Sequence, residues 1–127
     1  REEGHTVVPI PGASALTALV SASGLFFKAF TFEGFLSVKP GNSRRRLREL
    51  MERQDACIVY ESPFRIVKLL RDIADIDSER LICVGRELTK LYEEIVPGTA
   101  QSVLALFEAR ESIKGEFVVL VSGQKKE

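Results

Sequence analysis

Segments typical of strands alternate with segments typical of helices along almost the whole chain, and this alternation limits the folds it can adopt. Short apolar runs such as Ala56 to Tyr60 and Phe117 to Val121 are typical of buried strands. The stretch after Ser62 instead repeats apolar residues at helical spacing. The alternation therefore predicts an α/β domain built in layers around one core.

The pattern predicts about five strands flanked by about four helices. The predicted strands are Phe30 to Leu36, Ala56 to Tyr60, Leu81 to Gly85, Tyr92 to Val96 (stopped by Pro97-Gly98) and Phe117 to Val121, after an extended run at Val7 to Ile10. The predicted helices are Ala13 to Ser23, Ser43 to Arg53 capped by Asn42, one capped by Ser62 with Pro63 at its first position, and one from Thr99 to Arg110. Because no helix separates the strands ending at Gly85 and starting at Tyr92, we expect a mixed sheet of parallel and antiparallel strands.

Composition excludes several classes of protein. The 127 residues suit a single domain, and 18 basic against 18 acidic residues give zero net charge, unlike a general polyanion binder. No apolar run approaches the roughly 20 residues of a membrane span, so we expect no membrane partner and a cytoplasmic location. Cys57 and Cys83 lack metal-ligand spacing, and we expect two buried thiols and no metal.

Four short segments carry residues that a plain scaffold does not need. Pro9 to Ser14 is a proline-glycine turn before a helix, whose N–H groups suit an anion. Tyr60 to Arg65 joins a strand to a helix, the place where ligands collect in α/β sheets. Gly85 to Lys90 follows another strand, and Lys114-Gly115-Glu116 precedes the last one. Taken alone, each is also explained as an ordinary turn, helix cap or surface ion pair.

Taken together and in order, these segments resemble the ribosomal RNA small subunit methyltransferase I family, within the tetrapyrrole (corrin/porphyrin) methylase superfamily. The matching segments are Pro11-Gly12-Ala13-Ser14-Ala15, Ser21-Ala22-Ser23-Gly24-Leu25, Phe32-Glu33-Gly34-Phe35-Leu36, Tyr60-Glu61-Ser62-Pro63-Phe64-Arg65, Arg86-Glu87-Leu88-Thr89-Lys90 and Lys114-Gly115-Glu116-Phe117. The resemblance covers nearly the whole chain and implies that residues 1–127 are the C-terminal domain of the tetrapyrrole methylase fold, without the N-terminal domain. The sequence departs from the family at Phe26-Phe27-Lys28, where a proline-containing segment is usual, and at Phe64, where histidine is usual.

The resemblance implies a methyltransferase that uses S-adenosylmethionine to methylate the ribose 2′-oxygen of a cytidine in small-subunit (16S) ribosomal RNA. It implies cofactor contacts from Pro11, Gly12, Ala13, Ser14, Glu61, Ser62, Pro63, Arg86, Glu87, Gly115 and Glu116. A 2′-hydroxyl is a poor nucleophile until its proton is taken up, and Glu87 and Lys90 are the candidate catalytic groups, with nothing to choose between them. On its own the chain would supply one wall of a cleft shared with its N-terminal domain and would be inactive.

One local cluster of basic residues is a candidate for RNA contact. The cluster consists of Arg44, Arg45, Arg46 and Arg48, preceded by Lys39. The residues predicted to contact RNA are Lys39, Arg44, Arg45, Arg46 and, further along the chain, Arg65. The alternative is that Arg45–Glu49 and Arg48–Glu52, each four residues apart, form ordinary ion pairs on a helix surface.

Two other functions remain open at this stage. One is a methylase of tetrapyrrole substrates from the same superfamily. The other is a non-catalytic dimerisation module, suggested by a cluster of aromatic residues: Phe26, Phe27, Phe30, Phe32 and Phe35. Aromatic side chains are more often core than interface, so we expect this cluster to be buried, and the resemblance implies a homodimer.

Overall fold

A computed structural model of the chain describes residues 3–5, 15–88 and 91–125. The helices are α1 (Ala15–Ala22), α2 (Pro40–Met51), α3 (Ile66–Ile76) and α4 (Ala100–Glu108). The strands are β1 (Phe30–Phe35), β2 (Ala56–Glu61), β3 (Leu81–Arg86), β4 (Glu94–Thr99) and β5 (Phe117–Val121). The predicted α/β class is confirmed, while the extended run at Val7 and the predicted helix start at Ala13 lie outside the described residues.

The strands form one mixed sheet in the order β1-β2-β5-β3-β4. β1 pairs with β2 in parallel, whereas β5 is antiparallel to both of its neighbours and β4 is antiparallel to β3. The carboxyl ends of β1, β2 and β3 therefore share one edge of the sheet with the amino ends of β4 and β5. We name this the site edge, and it is marked by Phe35, Glu61, Arg86, Glu94 and Phe117.

The core lies on both faces of the sheet, with β5 at its centre. Phe117, Val119 and Val121 belong to a buried cluster with side chains of α2, α3 and α4. Val118 and Leu120 point the other way and join a second cluster with α1. All five residues of β5 are buried, which explains why this strand is a continuous apolar run.

Two helix starts test the capping predictions. Thr99 is confirmed as the cap of α4, because its hydroxyl accepts a hydrogen bond from the N–H of Ser102 at 3.2 Å. The cap predicted at Asn42 is wrong, since α2 already begins at Pro40 after the extended residue Lys39. Proline suits the first turn of a helix, where its missing N–H is not needed, so Asn42 lies inside the helix.

The fourth strand does not stop at Pro97-Gly98 as expected. β4 runs from Glu94 to Thr99, and Pro97 stands opposite Cys83 in the ladder. Among the described strands β4 lies at an edge of the sheet, and no other described strand bonds to the far side of its backbone. A proline is tolerated there because its missing N–H takes no hydrogen bond from the sheet.

The aromatic cluster predicted to be buried is largely exposed, so that expectation is wrong for this chain. Phe26 is fully exposed, and Phe30, Phe32 and Phe35 of β1 are each more than one-third exposed. Phe27 is half-buried and packs against the cluster under α1. β1 is the other edge strand, and α1 packs on β5 and β3, so the aromatic face of β1 lies beyond the helix.

Both cysteines are buried and free, as predicted. Burial raises the pKa of each thiol, Cys57 and Cys83, to about 11. In the described part of the chain, no three His, Cys, Asp or Glu side chains are grouped as metal ligands would be. Nor is any described helix long and apolar enough to cross a membrane.

Candidate functional site

A pocket of about 610 Å³ opens at the site edge, a volume suited to a small-molecule ligand. Its walls come from the ends of β1, β2 and β5 and from the residues that follow β2 and β3. The lining residues are Phe35, Tyr60, Glu61, Ser62, Pro63, Glu87, Leu88, Glu116, Phe117 and Val118. Three of them carry carboxyl groups, and no lysine or arginine of the described residues lines the pocket.

Glu61 ends β2 and is held by the turn that follows it. Its side chain is buried, with 7% of the residue exposed, and Oε1 accepts a hydrogen bond from the N–H of Ser62 at 2.8 Å. The carbonyl of Ser62 accepts hydrogen bonds from the N–H groups of Arg65 and Ile66 at 3.2 and 3.1 Å. These bonds form a separate turn over residues 62–65, and the non-helical backbone of Arg65 (φ −122°, ψ −4°) divides it from α3, so the predicted helix start at Pro63 is wrong and α3 begins at Ile66.

An aromatic wall on one side of the pocket depends on a bulge in β1. In an unbroken strand, residues three apart point to opposite faces, so Phe32 and Phe35 would be separated. The register shifts between Phe32 and Gly34, and Gly34 has a φ of +72°, in the left-handed region that favours glycine. Both phenylalanines therefore meet Tyr60 edge-on. The centroid of the Tyr60 ring lies 5.1 Å from that of Phe32 and 5.7 Å from that of Phe35.

Glu87 and Gly115 fit closely together beside the pocket. The backbone of Glu87 has a φ of +47°, uncommon for a residue with a side chain, and its N–H donates to the carbonyl of Glu116 at 2.9 Å. Gly115 has a φ of +101°, and a Cβ there would lie 2.7 Å from Cγ of Glu87. Glycine is therefore needed at this position for both its backbone conformation and its small size.

Arg86, predicted as a cofactor contact, directs its side chain to the backbone. Nε donates to the carbonyl of Lys114 at 2.5 Å, and Nη1 donates to the carbonyl of Tyr92 at 3.1 Å. Arg86 does not line the pocket. Its hydrogen bonds instead hold the two loops that lead into β5 and β4.

The structure brings together most of the predicted site residues that it describes. Those lining the pocket are Glu61, Ser62, Pro63, Glu87 and Glu116, and Arg86 and Gly115 adjoin it through the contacts given above. Pro11, Gly12, Ala13, Ser14 and Lys90 lie outside the described residues. Five further residues line the pocket that were not predicted from the sequence: Phe35, Tyr60, Leu88, Phe117 and Val118. The two-residue periodicity of β2 and β5 could have placed Tyr60 and Val118, and Gly34, a glycine inside a predicted strand, was the available signal for the bulge that turns Phe35.

The basic cluster on α2 divides into paired and unpaired arginines. Arg44 forms an ion pair with Asp75 at 2.7 Å. Arg46 binds Glu33 through two hydrogen bonds and also pairs with Glu49 at 3.1 Å. The hydrogen bond from Arg46 holds the pKa of Glu33 below its usual range. Arg44 and Arg46 therefore hold α2 against α3 and β1.

Arg45 and Arg48 make no side-chain ion pair within the described ranges, so the alternative interpretation, pairs with Glu49 and Glu52, is not observed there. Both arginines line a shallow cavity of about 400 Å³ on the outer side of α2. The other two predicted RNA contacts lie near the start of the same helix. Lys39 is exposed, and Arg65 donates from Nη2 to the carbonyl of Ser37 at 3.3 Å.

The family model of the Tetrapyrrole (Corrin/Porphyrin) Methylases matches residues 1–104. The chain belongs to this family. It is 40% identical over 121 residues to Ribosomal RNA small subunit methyltransferase I of Borrelia garinii subsp. bavariensis, covering 94% of the chain and 54% of that protein. It is 44% identical over 125 residues to the protein of the same name in Xylella fastidiosa, covering 97% of the chain and 46% of that protein. The chain thus spans about half the length of the curated relatives it matches.

A solved member of the fold is also similar to the chain. Uroporphyrin-III C-methyl transferase from Thermus thermophilus, complexed with S-adenyl homocysteine, superposes with a TM-score of 0.56 at 16% sequence identity. The match covers 97% of this chain and 55% of that one. The predicted tetrapyrrole methylase fold is thereby confirmed.

Proposed function

We propose that this chain is the C-terminal domain of a two-domain methyltransferase that uses S-adenosylmethionine and acts on small-subunit ribosomal RNA. The observation that carries the proposal is the pocket at the site edge. Its wall is built from Glu61, Ser62, Pro63, Glu87 and Glu116, which belong to the motifs shared with the ribosomal RNA small subunit methyltransferase I family. The two relatives described above, at 40% and 44% identity, carry that name.

The residues of the pocket suit S-adenosylmethionine. This cofactor supplies an electrophilic methyl group carried on a sulfonium cation. The carboxyl groups of Glu61, Glu87 and Glu116 and the ring of Tyr60 give the pocket a lining that attracts a cation. The Thermus thermophilus enzyme, which has a similar fold, is complexed with S-adenyl homocysteine, and this supports the proposal of a ligand of this class.

The acceptor in this proposal is the 2′-hydroxyl of a cytidine. Transfer to it requires alignment of the acceptor oxygen and uptake of its proton. Glu87 lines the pocket and is a candidate to accept that proton, and Lys90 is the second candidate. The remaining wall of the cleft would come from an N-terminal domain, because the chain matches only 54% and 46% of its relatives' lengths.

Calorimetric titration with S-adenosylmethionine tests this proposal on the 127-residue chain and on the two-domain protein, side by side. We expect the two-domain protein to bind and the chain alone to bind at least about tenfold more weakly, since half of the contacts are missing. Methyl transfer by the two-domain protein to small ribosomal subunits, compared with a precorrin, separates the RNA methylase from the alternative tetrapyrrole methylase. Equal affinity of the two proteins, or transfer to the precorrin alone, would contradict the proposal.

We also propose that the outer side of α2 contacts the RNA backbone. Arg45 and Arg48 carry this proposal because their guanidinium groups are not committed to ion pairs in the described structure, whereas Arg44 and Arg46 are. Lys39, just before the helix, is exposed, and Arg65 lies near it through its hydrogen bond to the carbonyl of Ser37. Contacts of this kind position an RNA without reading its sequence.

Reversing the charge at Arg45 and Arg48 together in the two-domain protein is expected to weaken binding to small ribosomal subunits. Affinity falls as salt rises, and each phosphate contact contributes about 0.7 to 0.9 to the steepness of log affinity against log salt. Loss of two contacts should therefore make this dependence shallower by about 1.5. Binding measured across a salt series gives both quantities. The same reversal at Arg71, an exposed residue of α3, is the control. An unchanged salt dependence in the double variant would contradict the proposal that α2 contacts RNA.

The exposed aromatic side chains of β1 suit a further contact. We propose that Phe26, Phe30 and Phe32 form part of a homodimer interface of the two-domain protein. Phe30 and Phe32 lie on the outer strand β1 and Phe26 lies in the segment before it, and exposed aromatic residues of this kind are enriched at protein interfaces. This contact is compatible with the alternative that the isolated chain acts only as a dimerisation module.

A further inference from the structure

Arg86 lies at the centre of the hydrogen bonds that shape one side of the pocket. It is the last residue of β3, and its guanidinium bridges the carbonyls of Lys114 and Tyr92. Lys114 belongs to the loop before β5, and Tyr92 belongs to the loop before β4. One side chain therefore fixes the entry to both antiparallel strands at the site edge.

The loop held by Arg86 is the one that packs against Glu87. Gly115 follows Lys114 directly, and the side chain of Glu87 lies against its Cα hydrogens, in the space that a Cβ would occupy. The N–H of Glu87 then bonds the carbonyl of Glu116. Two of the three carboxyl groups of the pocket, those of Glu87 and Glu116, are thus positioned by the loop before β5, and Arg86 fixes that loop through its hydrogen bond to Lys114.

The left-handed backbone of Glu87 is a second reason why the loop before β5 must be held in place. A residue with a side chain at a φ of +47° is held in a sparsely populated and unfavourable conformation. This conformation persists when surrounding contacts over-determine it. The hydrogen bond to Glu116 and the loop fixed by Arg86 supply those contacts.

We propose that Arg86 is a positioning residue: it presets the pocket wall formed by Glu87 and Glu116 and does not itself bind the cofactor. This inference rests on the proposed function, since it concerns the same pocket. A planar guanidinium suits the task because its fixed fork of donors can bond two carbonyls at once, which an ammonium group on a flexible stem does less well.

The test compares two ligands and two variants of the two-domain protein. S-adenosylmethionine carries a sulfonium, an amino group and a carboxylate, and decarboxylated S-adenosylmethionine lacks only the carboxylate. If Arg86 bound the carboxylate of the cofactor, its replacement would weaken only the first ligand. If Arg86 positions the wall, Arg86→Met should weaken both ligands by the same factor, about tenfold, and Arg86→Lys should weaken both by less.

Two further variants keep the result interpretable. Arg71→Met removes an arginine whose ion pair with Glu108 joins α3 to α4, away from the pocket. The affinity of this variant for both ligands should not change. If Arg86→Met fails to fold, Gly115→Ala disturbs the same unit from the other side, where the new Cβ displaces Glu87, and it should again weaken both ligands equally. Thermal unfolding of each variant separates a local loss of affinity from global destabilisation.

Equal weakening of both ligands supports the positioning role. Weakening of S-adenosylmethionine alone, or full affinity in Arg86→Met, overturns it. Failure of the unaltered two-domain protein to bind either ligand is a different result, and it would overturn the proposed function together with this inference.

Discussion

Glu61→Ala in the two-domain protein is expected to weaken binding of S-adenosylmethionine by about tenfold to a hundredfold. A hydrogen bond to a charged group contributes about 1.5 to 3 kcal/mol, and Glu61 is the buried carboxylate of the pocket wall. Alanine removes its charge and also the acceptor that holds the N–H of Ser62. Calorimetric titration measures the loss, and methyl transfer to small ribosomal subunits should fall with it.

Glu61→Gln separates the two effects. Glutamine keeps an oxygen to accept from the N–H of Ser62 and loses the negative charge. We therefore expect Glu61→Gln to retain the turn before α3 and still bind the cofactor about tenfold more weakly, as the loss of one charged hydrogen bond predicts. Glu79→Gln makes the same chemical change at an exposed turn before β3, on the edge of the sheet opposite the pocket. An affinity in Glu61→Gln equal to that of Glu79→Gln would argue against a role for the Glu61 charge.

Phe107→Ala is expected to lower the free energy of unfolding by about 3 to 5 kcal/mol. Phe107 is fully buried in α4, its ring meets that of Phe117 edge-on at 5.6 Å, and the guanidinium of Arg110 lies 4.1 Å from its ring centroid. Truncation leaves a cavity between α4 and the sheet and removes both contacts. Domains of this size are commonly stable by about 5 to 15 kcal/mol, so the loss is a large part of the total.

Urea unfolding of the chain measures this loss, with Leu106→Ala as the matched control. Leu106 is the neighbouring residue on the same helix, and its side chain is about half exposed, so its truncation should cost less than about 1 kcal/mol. Phe107→Leu, which keeps most of the volume, gives a measurable intermediate if the alanine variant does not fold. Similar losses in Phe107→Ala and Leu106→Ala would contradict the burial of the phenylalanine.

The convergence of the site motifs was predictable because it follows from strand direction. β2 and β3 run in parallel, so the segments after them, beginning at Ser62 and Glu87, meet at one edge. The segment at Gly115 joins them from before its strand because β5 is antiparallel. Sequence order and the mixed sheet together place these three segments, whereas the turn containing Ser14 lies outside the described residues.

Three features could not be predicted from the sequence because each depends on how separate helices, strands or loops pack together. Arg86 was predicted as a cofactor contact from its motif, and its hydrogen bonds to the carbonyls of Tyr92 and Lys114 depend on how two loops fold back onto the end of β3. Pro97 looks like a strand terminator, yet the order of strands puts it on an edge where it is tolerated. The exposure of Phe32 likewise depends on where α1 crosses the sheet, which local periodicity does not specify.

The position of β5 affects when this domain can fold during synthesis. A nascent chain that has left the ribosome only as far as residue 110 holds two separate strand pairs, β1 with β2 and β3 with β4, and no hydrogen-bonded ladder joins them. The strand from Phe117 to Val121 is the last made of those described, and it must insert between pairs formed much earlier. Long-range pairing of this kind is slow, and the open edges of β2 and β3 are prone to wrong partners until it happens. The domain therefore gains its finished architecture only after its final strand has been translated.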